Sequence, residues 1–326
     1  MNTFERYQEL IEDGLNRIPL SGKPIELYEP IRYMIALGGK RMRPALALFA
    51  CDLFDGKTED VLEAALGLEL FHNFTLVHDD IMDKAPLRRN KPTVHEKWDQ
   101  SIAILSGDAM FVKAYQQICK VGAAHLAEVM DIFNETALFV CEGQQLDMNY
   151  EQVSGIRIKE YLKMIELKTA VLLAGSLKIG AVIGGAKAED AKRLYEFGKH
   201  IGIAFQLQDD ILDVYGDAGK FGKQTGGDII SNKKTFLLLK AMEVSERMPY
   251  KREELVQWIN APTFNPKDKV EAVTEIYNFL NIRSLAREEM ETHYQKGLKF
   301  LEEIPAAAHK KLALKQMADS LMVREA

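Results

Sequence analysis

Two copies of the pattern Asp-Asp-Ile-x-Asp, at residues 79–83 and 209–213, are the clearest chemical signal in the sequence. Each copy lies near the C-terminal end of a segment with helical spacing, where the negative end of the helix dipole disfavours carboxylates. Carboxylates four residues apart on a helix lie about 6 Å apart, close enough to repel each other or to share a cation. Mg²⁺ typically takes one or two carboxylates together with phosphate oxygens, so it would offset this charge. The two acidic copies therefore predict a site for a hard divalent cation such as Mg²⁺.

The first copy continues a narrow polar stripe. His72, Thr75, Asp79 and Asp83 are spaced 3, 4 and 4 residues apart, which places them on one face of a helix that is otherwise apolar nearly all round. Such a stripe predicts the wall of an internal cavity. For either copy alone, the alternative interpretation is a solvent-exposed helix end that carries acidic residues without binding a cation. The loop pattern of an EF-hand and the Cys/His spacing of a zinc site are both absent from the sequence.

Basic residues follow both acidic segments closely. The pair Gly38-Gly39 precedes three cations, and Arg88 and Arg89 follow the first acidic copy. The further basic residues are Lys40, Arg41 and Arg43 after the glycines, and Lys220, Lys223, Lys233 and Lys234 after the second copy. Any one of these is ordinarily a solvated surface charge, but their common placement predicts a polyanionic ligand. Since the sequence has no P-loop, no GxGxxG pattern and no kinase signature, a diphosphate without a nucleotide fits best.

Composition narrows the class of protein. Of 326 residues, 47% are hydrophobic and the formal net charge is −6, which excludes a disordered chain and argues against nucleic acid as a partner. Three cysteines without a CxxC pattern exclude a disulfide scaffold and fit the cytoplasm. We expect no transmembrane segment, because no stretch of about 20 residues is predominantly apolar, and no signal peptide.

The helical period dominates the chain. Apolar residues recur at three-and-four spacing over residues 61–82, 102–121, 127–148, 158–183, 188–215 and 235–244. No run of alternating β-branched residues predicts a strand, and none of the short breaks resembles an interdomain linker. The expectation is therefore one all-α domain over residues 1–326.

Taken together, the motifs resemble those of the trans-isoprenyl diphosphate synthases (polyprenyl synthetases). The resemblance runs from about residue 35 to residue 235 and rests on GGKRMRP, FTLVHDDIMD followed four residues later by RR, GQQLD, Lys168–Thr169, FQLQDDILD, GK at 222–223 and NKKT at 232–235. It implies a single-domain helical bundle around a deep central cavity, and a homodimer. Two departures from the usual pattern are Asn90, where glycine is common, and Ser231–Asn232 before the lysines.

The resemblance also implies an activity, the head-to-tail 1′-4 condensation of isopentenyl diphosphate with an allylic prenyl diphosphate. Up to three Mg²⁺ ions would bind with the substrate diphosphate, held directly by Asp79, Asp83 and Asp209 and with the support of Asp80, Asp210 and Asp213. Allylic diphosphate would be contacted by Arg88, Lys168 and Lys223, and isopentenyl diphosphate by Lys40, Arg43, His72 and Arg89. Thr169 and Gln206 would face the developing carbocation. Gln144 and Asp147 would support the second acidic copy, and Lys233 would close the site, with Lys234 as the alternative.

Product length, in this family, depends on the residues four and five positions before the first aspartate, here Thr75 and Phe74. Because Phe74 lies about 7.5 Å below Asp79 on a helix, its ring should stop a growing chain after a few units. The resemblance therefore implies a short product, geranylgeranyl diphosphate first and farnesyl diphosphate second. The rival interpretations are a terpene cyclase, a non-catalytic subunit of a synthase and a Mg²⁺-dependent phosphohydrolase. The intact pair of acidic motifs and the GGKRMR segment disfavour the first two, and no motif supports the third.

Overall fold

The computed structural model describes residues 3–216 and 226–322. In its first half the helices are α1 Thr3–Arg17, α2 Ile25–Ala36, α3 Met42–Leu53, α4 Thr58–Met82, α5 Val94–Lys97, α6 Gln100–Ile118 and α7 Ala123–Gln152. Two two-residue strands, β1 Leu87–Arg88 and β2 Lys91–Pro92, pair antiparallel as a small hairpin between α4 and α5.

The second half is also helical. Its helices are α8 Ile158–Ile165, α9 Val171–Ile183, α10 Ala188–Tyr215, α11 Gly227–Ile230, α12 Phe236–Val244, α13 Pro249–Asn260, α14 Pro266–Phe279, α15 Ile282–Glu302 and α16 Ala308–Met322. A π-helical turn, Glu166–Ala170, joins α8 to α9, and a 3₁₀ turn, Ser245–Arg247, precedes α13. The all-α fold class predicted from the sequence is confirmed.

The predicted helix boundaries agree closely with the observed ones where the apolar period is strong. Helix α10 has the predicted bounds, and α4 begins three residues before the predicted start at residue 61. Helix α7 continues four residues past its predicted end at residue 148. None of the helices within the described residues has the length and apolar character that crossing a membrane requires.

The chain divides into two compact units. The first unit comprises residues 1–135, 175–195 and 304–314. Its core forms where α4 packs against α3 and α6. Gly67 permits the close approach of α4 to α6, since a Cβ there would lie 2.9 Å from the carbonyl oxygen of Ala114. This packing fixes the face of α4 that carries the first acidic copy.

The second unit comprises residues 136–174, 196–303 and 315–326. Its core joins α8, α10, α12, α14 and α15 through buried residues such as Leu207, Phe236 and Ile276. The π-helical turn packs against two glycines, because a Cβ on Gly143 would lie 2.2 Å from the Lys168 nitrogen and one on Gly202 would lie 2.5 Å from the Ala170 Cα. The prediction that residues 1–326 form a single domain stays a prediction.

Candidate active site

The first acidic copy ends helix α4. Asp79 and Asp80 lie in its last turn, and Asp83 is the C-terminal cap residue, whose N–H donates to the Asp79 carbonyl at 2.8 Å. Asp80 is buried, whereas Asp79 is half-buried and Asp83 is exposed. The i, i+4 pair Asp79 and Asp83 therefore has access to a ligand, as the sequence spacing predicts.

Asp80 has a different role, because Arg88 occupies both of its oxygens. Arg88 donates through Nε to Asp80 Oδ2 at 2.8 Å and through Nη2 to Oδ1 at 2.7 Å. The Asp80 side chain is 3% exposed and that of Arg88 is 25% exposed. Bidentate pairing fixes the guanidinium plane, so Asp80 orients Arg88 on strand β1.

The hairpin turn places Arg89. Arg89 and Asn90 both have left-handed backbones, with φ of 52° and 61°, as a two-residue hairpin turn requires. Asn90 thus adopts the conformation for which glycine is usual. The Arg89 guanidinium lies against Gly39, since a Cβ on Gly39 would be 2.8 Å from Arg89 Nη2. The second glycine of the GGKRMRP segment therefore makes room for Arg89.

Arg43 and His72 form a direct pair in the first unit. The Nη1 of Arg43 donates to His72 Nε2 at 3.0 Å. Burial, and then the guanidinium groups of Arg43, Arg88 and Arg89, hold the pKa of His72 well below its usual range, so the imidazole is neutral. Burial also lowers the pKa of Arg43, to about 10. Several cations around one neutral imidazole create a positive potential that suits a diphosphate.

Arg41 is a structural residue whose role the sequence analysis did not recognise. It is 3% exposed, and its φ of 50° places it at the start of α3. It pairs with Glu12 and Glu69 at 2.7 Å each and donates to the Ile35 carbonyl. The charge of Arg41 is thus compensated internally, while Lys40 beside it is exposed. The only sequence signal is Glu69, a carboxylate within the apolar run of α4.

An aromatic cluster of Phe71, Phe74, Phe111, Tyr115 and Phe133 lies below the first acidic copy. Phe74 stacks on Phe111 with ring centroids 4.9 Å apart, and Phe71 lies 5.6 Å from Phe74. Thr75 turns its hydroxyl back to the His72 carbonyl at 2.8 Å. Phe74 is therefore held by neighbouring rings. Its partner Phe111, on α6, was not predicted from the sequence.

The second acidic copy lies in the last two turns of α10. Asp209 and Asp213 are half-buried, and Asp210 is 4% exposed. Asp210 accepts hydrogen bonds from the Tyr161 hydroxyl, from Gln206 Nε2 at 3.2 Å and from the Phe236 N–H at 3.4 Å. Burial, and then the charge of Asp228, raise the pKa of Asp210 to about 7.

The π-helical turn presents Lys168 and Thr169 to this region. Thr169 Oγ1 donates to Gln206 Oε1 at 3.1 Å, and Lys168 Nζ donates to Asp147 Oδ2 at 2.5 Å. Lys233 Nζ lies 4.0 Å from the same Asp147 oxygen. The second unit therefore brings together the predicted residues Lys168, Thr169, Gln206 and Lys233. π-Helical turns are frequent at functional sites, and the helical period of the sequence does not reveal this one.

Asp228 was missed by the sequence analysis. Its N–H donates to Asp213 Oδ2 at 3.0 Å, which places a further carboxylate beside the second acidic copy. Lys234 turns away to the end of α7, where it donates to the carbonyl oxygens of Tyr150 and Glu151. The predicted residue Lys223, together with Lys220, lies outside the described residues.

The donor chemistry fits magnesium. Asp79 with Asp83, and Asp209 with Asp213, each supply hard carboxylate oxygens one turn apart, the ligand type that Mg²⁺ takes alongside phosphate oxygens and water. Over residues 3–216 and 226–322, no group of three or more His, Cys, Asp or Glu side chains is arranged to hold an ion by itself.

Comparison with known proteins gives consistent results. Residues 24–277 match the family model described as polyprenyl synthetase. A geranylgeranyl diphosphate synthase of Methanosarcina mazei is 38% identical over 307 residues, which cover 93% of this chain and 91% of the relative.

Solved structures agree with this match. A crystal structure of a geranylgeranyl pyrophosphate synthase superposes with a TM-score of 0.94, at 38% identity, and covers 100% of both chains. The geranylgeranyl pyrophosphate synthase of Corynebacterium glutamicum, solved in complex with isoprenyl diphosphate and magnesium, gives a TM-score of 0.89 at 26% identity, with 99% of this chain and 100% of that one covered. A family match over most of the chain, and a relative of this identity over nearly its full length, show that the chain belongs to the polyprenyl synthetase family.

Proposed function

We propose that the chain is a prenyltransferase that condenses isopentenyl diphosphate with an allylic prenyl diphosphate in the head-to-tail, 1′-4 sense. Geranylgeranyl diphosphate is the expected main product. The observation that carries this proposal is the group of guanidinium side chains around the neutral imidazole of His72. Such a group binds a diphosphate, and His72 lies on α4, whose C-terminal end carries the accessible carboxylates Asp79 and Asp83.

Isopentenyl diphosphate is assigned to the basic residues of the first unit, Lys40, Arg43, His72 and Arg89. Gly39 leaves room for Arg89, and Arg43 and His72 are already paired, so these two groups are held before substrate arrives. Because their positions are fixed, binding costs little side-chain entropy. Guanidinium groups also hold diphosphate through forked hydrogen bonds.

The allylic diphosphate is assigned to Arg88, Lys168 and Lys223, with Asp79, Asp83 and Asp209 as the magnesium ligands. When bound, Mg²⁺ would stabilise the negative charge of the departing diphosphate. Arg88 is aimed by Asp80, and Lys168 is aimed by Asp147. The support of Asp210 and Asp213 is indirect, since both accept hydrogen bonds from neighbouring groups. The magnesium in the Corynebacterium glutamicum structure supports this cofactor assignment.

Stabilisation of the carbocation is assigned to Thr169 and Gln206, whose side-chain oxygens lie 3.1 Å apart. Their dipoles offer partial negative charge without a nucleophile that would trap the cation, which is how a preorganised site favours ionisation. Lys233 is the closing lysine in this proposal. It is exposed and lies near Asp147, whereas Lys234 is bound to carbonyl oxygens at the end of α7.

A homodimer completes the proposal. Helix α6 exposes Ile104, Leu105 and Val112, which are 40%, 59% and 55% accessible. Exposed apolar residues on one helix are typical of a protein–protein contact. Replacing Leu105 by Glu should shift the protein from dimer to monomer in light scattering, whereas Glu128→Gln, an exposed change on α7, should not.

We also propose that the protein is cytoplasmic. Cys51, Cys119 and Cys141 form no disulfide with one another, as is usual in reducing compartments.

The decisive test supplies labelled isopentenyl diphosphate, Mg²⁺ and each allylic primer in turn. Chain extension to a C20 diphosphate is expected, with a C15 product as the second candidate. A cyclised hydrocarbon, free diphosphate without a new carbon–carbon bond, or no reaction would contradict the proposal. Asp79→Asn should abolish extension, and the exposed Asp131→Asn serves as a control with the same change of charge.

A further inference from the structure

The segment that carries Lys233 has a defined backbone. Helix α11 ends at Ile230, and Asn232 has a left-handed φ of 55°. The Asn232 N–H donates to the Ile229 carbonyl at 3.2 Å, and the Lys233 N–H donates to the Asp228 carbonyl at 2.9 Å. This pair of hydrogen bonds is the Schellman motif, in which one left-handed residue turns the chain out of the helix. The direction in which Lys233 leaves the helix therefore depends on Asn232.

The side chain of Asn232 is held at both ends. Its Nδ2 donates to the Ile259 carbonyl at 2.9 Å, in the last turn of α13. Its Oδ1 accepts from Lys269 Nζ at 2.7 Å. Glycine would adopt the same backbone more readily, but it could not make these two bonds. Asparagine at this position thus ties the turn to the helices behind it.

Lys269, on α14, is the group behind the turn. It is 1% exposed, and its ammonium also reaches the Ile230 carbonyl at 3.4 Å and lies 4.1 Å from the centroid of the Phe264 ring. An ammonium is costly to bury, so its partners must compensate it. All three described partners are neutral, and two of them belong to the segment that leads to Lys233.

The next residue of α14 holds the other end of α11. Gly226, which has a φ of 81°, packs against Val270, since a Cβ there would lie 2.6 Å from the valine side chain. Residues 269 and 270 therefore support both ends of the short helix. Since α11 has only four residues, its own hydrogen bonds contribute little rigidity.

We propose that Lys269 is a positioning residue for prenyl transfer, which acts through Asn232 to aim the ammonium of Lys233 at the diphosphate of the allylic substrate. This inference rests on the proposed function of Lys233. Lys269 is 1% exposed, and its ammonium is bonded to Asn232 and to the Ile230 carbonyl. The charge of Lys269 holds the turn at Asn232, and that turn determines where the ammonium of Lys233 lies.

The first test replaces Lys269 by Met, which keeps the length of the side chain and removes its charge. We expect the KM for the allylic diphosphate to rise about tenfold and kcat to fall, with the KM for isopentenyl diphosphate unchanged. Lys267→Met, an exposed change two residues earlier on the same helix, is the matched control and should leave both constants as in the wild type. Wild-type constants in Lys269→Met would overturn the inference.

A double-mutant cycle separates positioning from general stability. If Lys269 acts through Lys233, Lys269→Met should cost nothing further in a Lys233→Ala background. Equal losses in both backgrounds would mean that Lys269 affects the whole fold, and would overturn the inference.

A second variant guards against misfolding. Asn232→Gly keeps the left-handed turn and removes only the side-chain bonds, so it should fold and show the same loss for allylic diphosphate, again without further cost in the Lys233→Ala background. If Asn232→Gly had no effect, the inference would fail.

Calorimetry with inorganic pyrophosphate and MgCl₂ provides a readout that does not depend on turnover. Lys233→Ala and Lys269→Met should weaken this binding by similar factors. If the wild type binds pyrophosphate in this way but does not extend isopentenyl diphosphate, the proposed function fails, while the placement of Lys233 toward a diphosphate by Lys269 stands. If Lys269→Met binds pyrophosphate as the wild type does, the positioning role fails instead.

Discussion

Asp80 and Asp210 hold the same place in two copies of one acidic pattern, yet their partners differ in kind. Asp80 is paired with a guanidinium through two hydrogen bonds of 2.7 and 2.8 Å. Asp210 is surrounded by a phenol, an amide and a backbone N–H. The first carboxylate is compensated by an opposite charge and the second by neutral donors.

This difference indicates how one pattern serves two tasks. The ion pair at Asp80 fixes the direction of Arg88, so in the proposed function the first copy would organise diphosphate recognition. Neutral donors around Asp210 link Thr169 and Gln206 to the core of the second unit. The second copy therefore organises the dipoles assigned to the carbocation. Asp80→Asn and Asp210→Asn test this contrast directly, and Phe74→Ala and His200→Phe test other parts of the two units.

Asp80→Asn should have the largest effect. It removes the charge that orients Arg88 and turns an amide N–H toward the guanidinium. We expect the free energy of unfolding to fall by about 2 kcal/mol and kcat/KM by roughly a hundredfold. Urea unfolding and the condensation assay measure the two quantities. Asp131→Asn on the exposed face of α7 is the control. A loss no greater than that of the control would show that the ion pair is dispensable.

Phe74→Ala should change the product more than the rate. It removes a ring stacked on Phe111, at a stability cost of about 2 kcal/mol. Removal of the ring should let the chain grow past C20, which chromatography of labelled products would show. Phe74→Tyr keeps the ring and should keep the product. An unchanged product length in the alanine variant would reject Phe74 as the limit.

Asp210→Asn should cost less than Asp80→Asn. The amide oxygen of asparagine still accepts from Tyr161, and unlike Asp80→Asn the change leaves no hydrogen-bonded guanidinium without its carboxylate. We expect a loss of less than about 1 kcal/mol in unfolding free energy, measured in urea beside Asp80→Asn. If the two variants lost equal stability, the contrast between the two copies would disappear.

The smallest expected effect concerns His200, also on α10, whose Nδ1 lies 3.0 Å from His293 Nδ1. Burial, and then His293 and Lys199, lower the pKa of His200 to about 4. Because an unfolded histidine takes up a proton near pH 6.5, the unfolded state gains protons first, and stability should fall as the pH drops from 6.5 toward 4.

Replacing His200 by Phe, which can retain the stacking on Phe300, should therefore reduce the drop in melting temperature between pH 7 and pH 5. Calorimetry at both values measures it, and the exposed His309→Phe should keep the wild-type drop. A full drop in His200→Phe would place the acid sensitivity elsewhere in the protein.

Local order was predictable and long-range pairing was not. The helical period fixed the place of Asp79 on the same face as Asp83, and the bounds of α10 followed from its apolar spacing. The two-residue strands are too short to leave an alternating pattern. The burial of Arg41 depends on Glu12 and Glu69, which are 29 and 28 residues away, so no local signal reveals it.

The same reason explains why Lys269 and Phe111 were missed. Each acts on a site residue that lies 37 residues away along the chain. The sequence motifs identify the side chains that the proposal assigns to substrate, whereas the residues that hold them are defined by the packing of distant helices. Asp228 is an intermediate case, since it follows the second copy closely but has no spacing that marks it.

The π-helical turn at Glu166–Ala170 requires a fixed number of residues in this part of the polypeptide. A wide turn holds one residue more than a regular helix of the same rise. Deleting Leu167 would therefore heal the turn into continuous α-helix, leaving α8 and α9 in register but shifting Lys168 and Thr169 from the places that the wide turn gives them. A deletion of three nucleotides here should therefore abolish activity, although every charged and hydroxyl side chain remains. Scanning by substitution would not detect this effect.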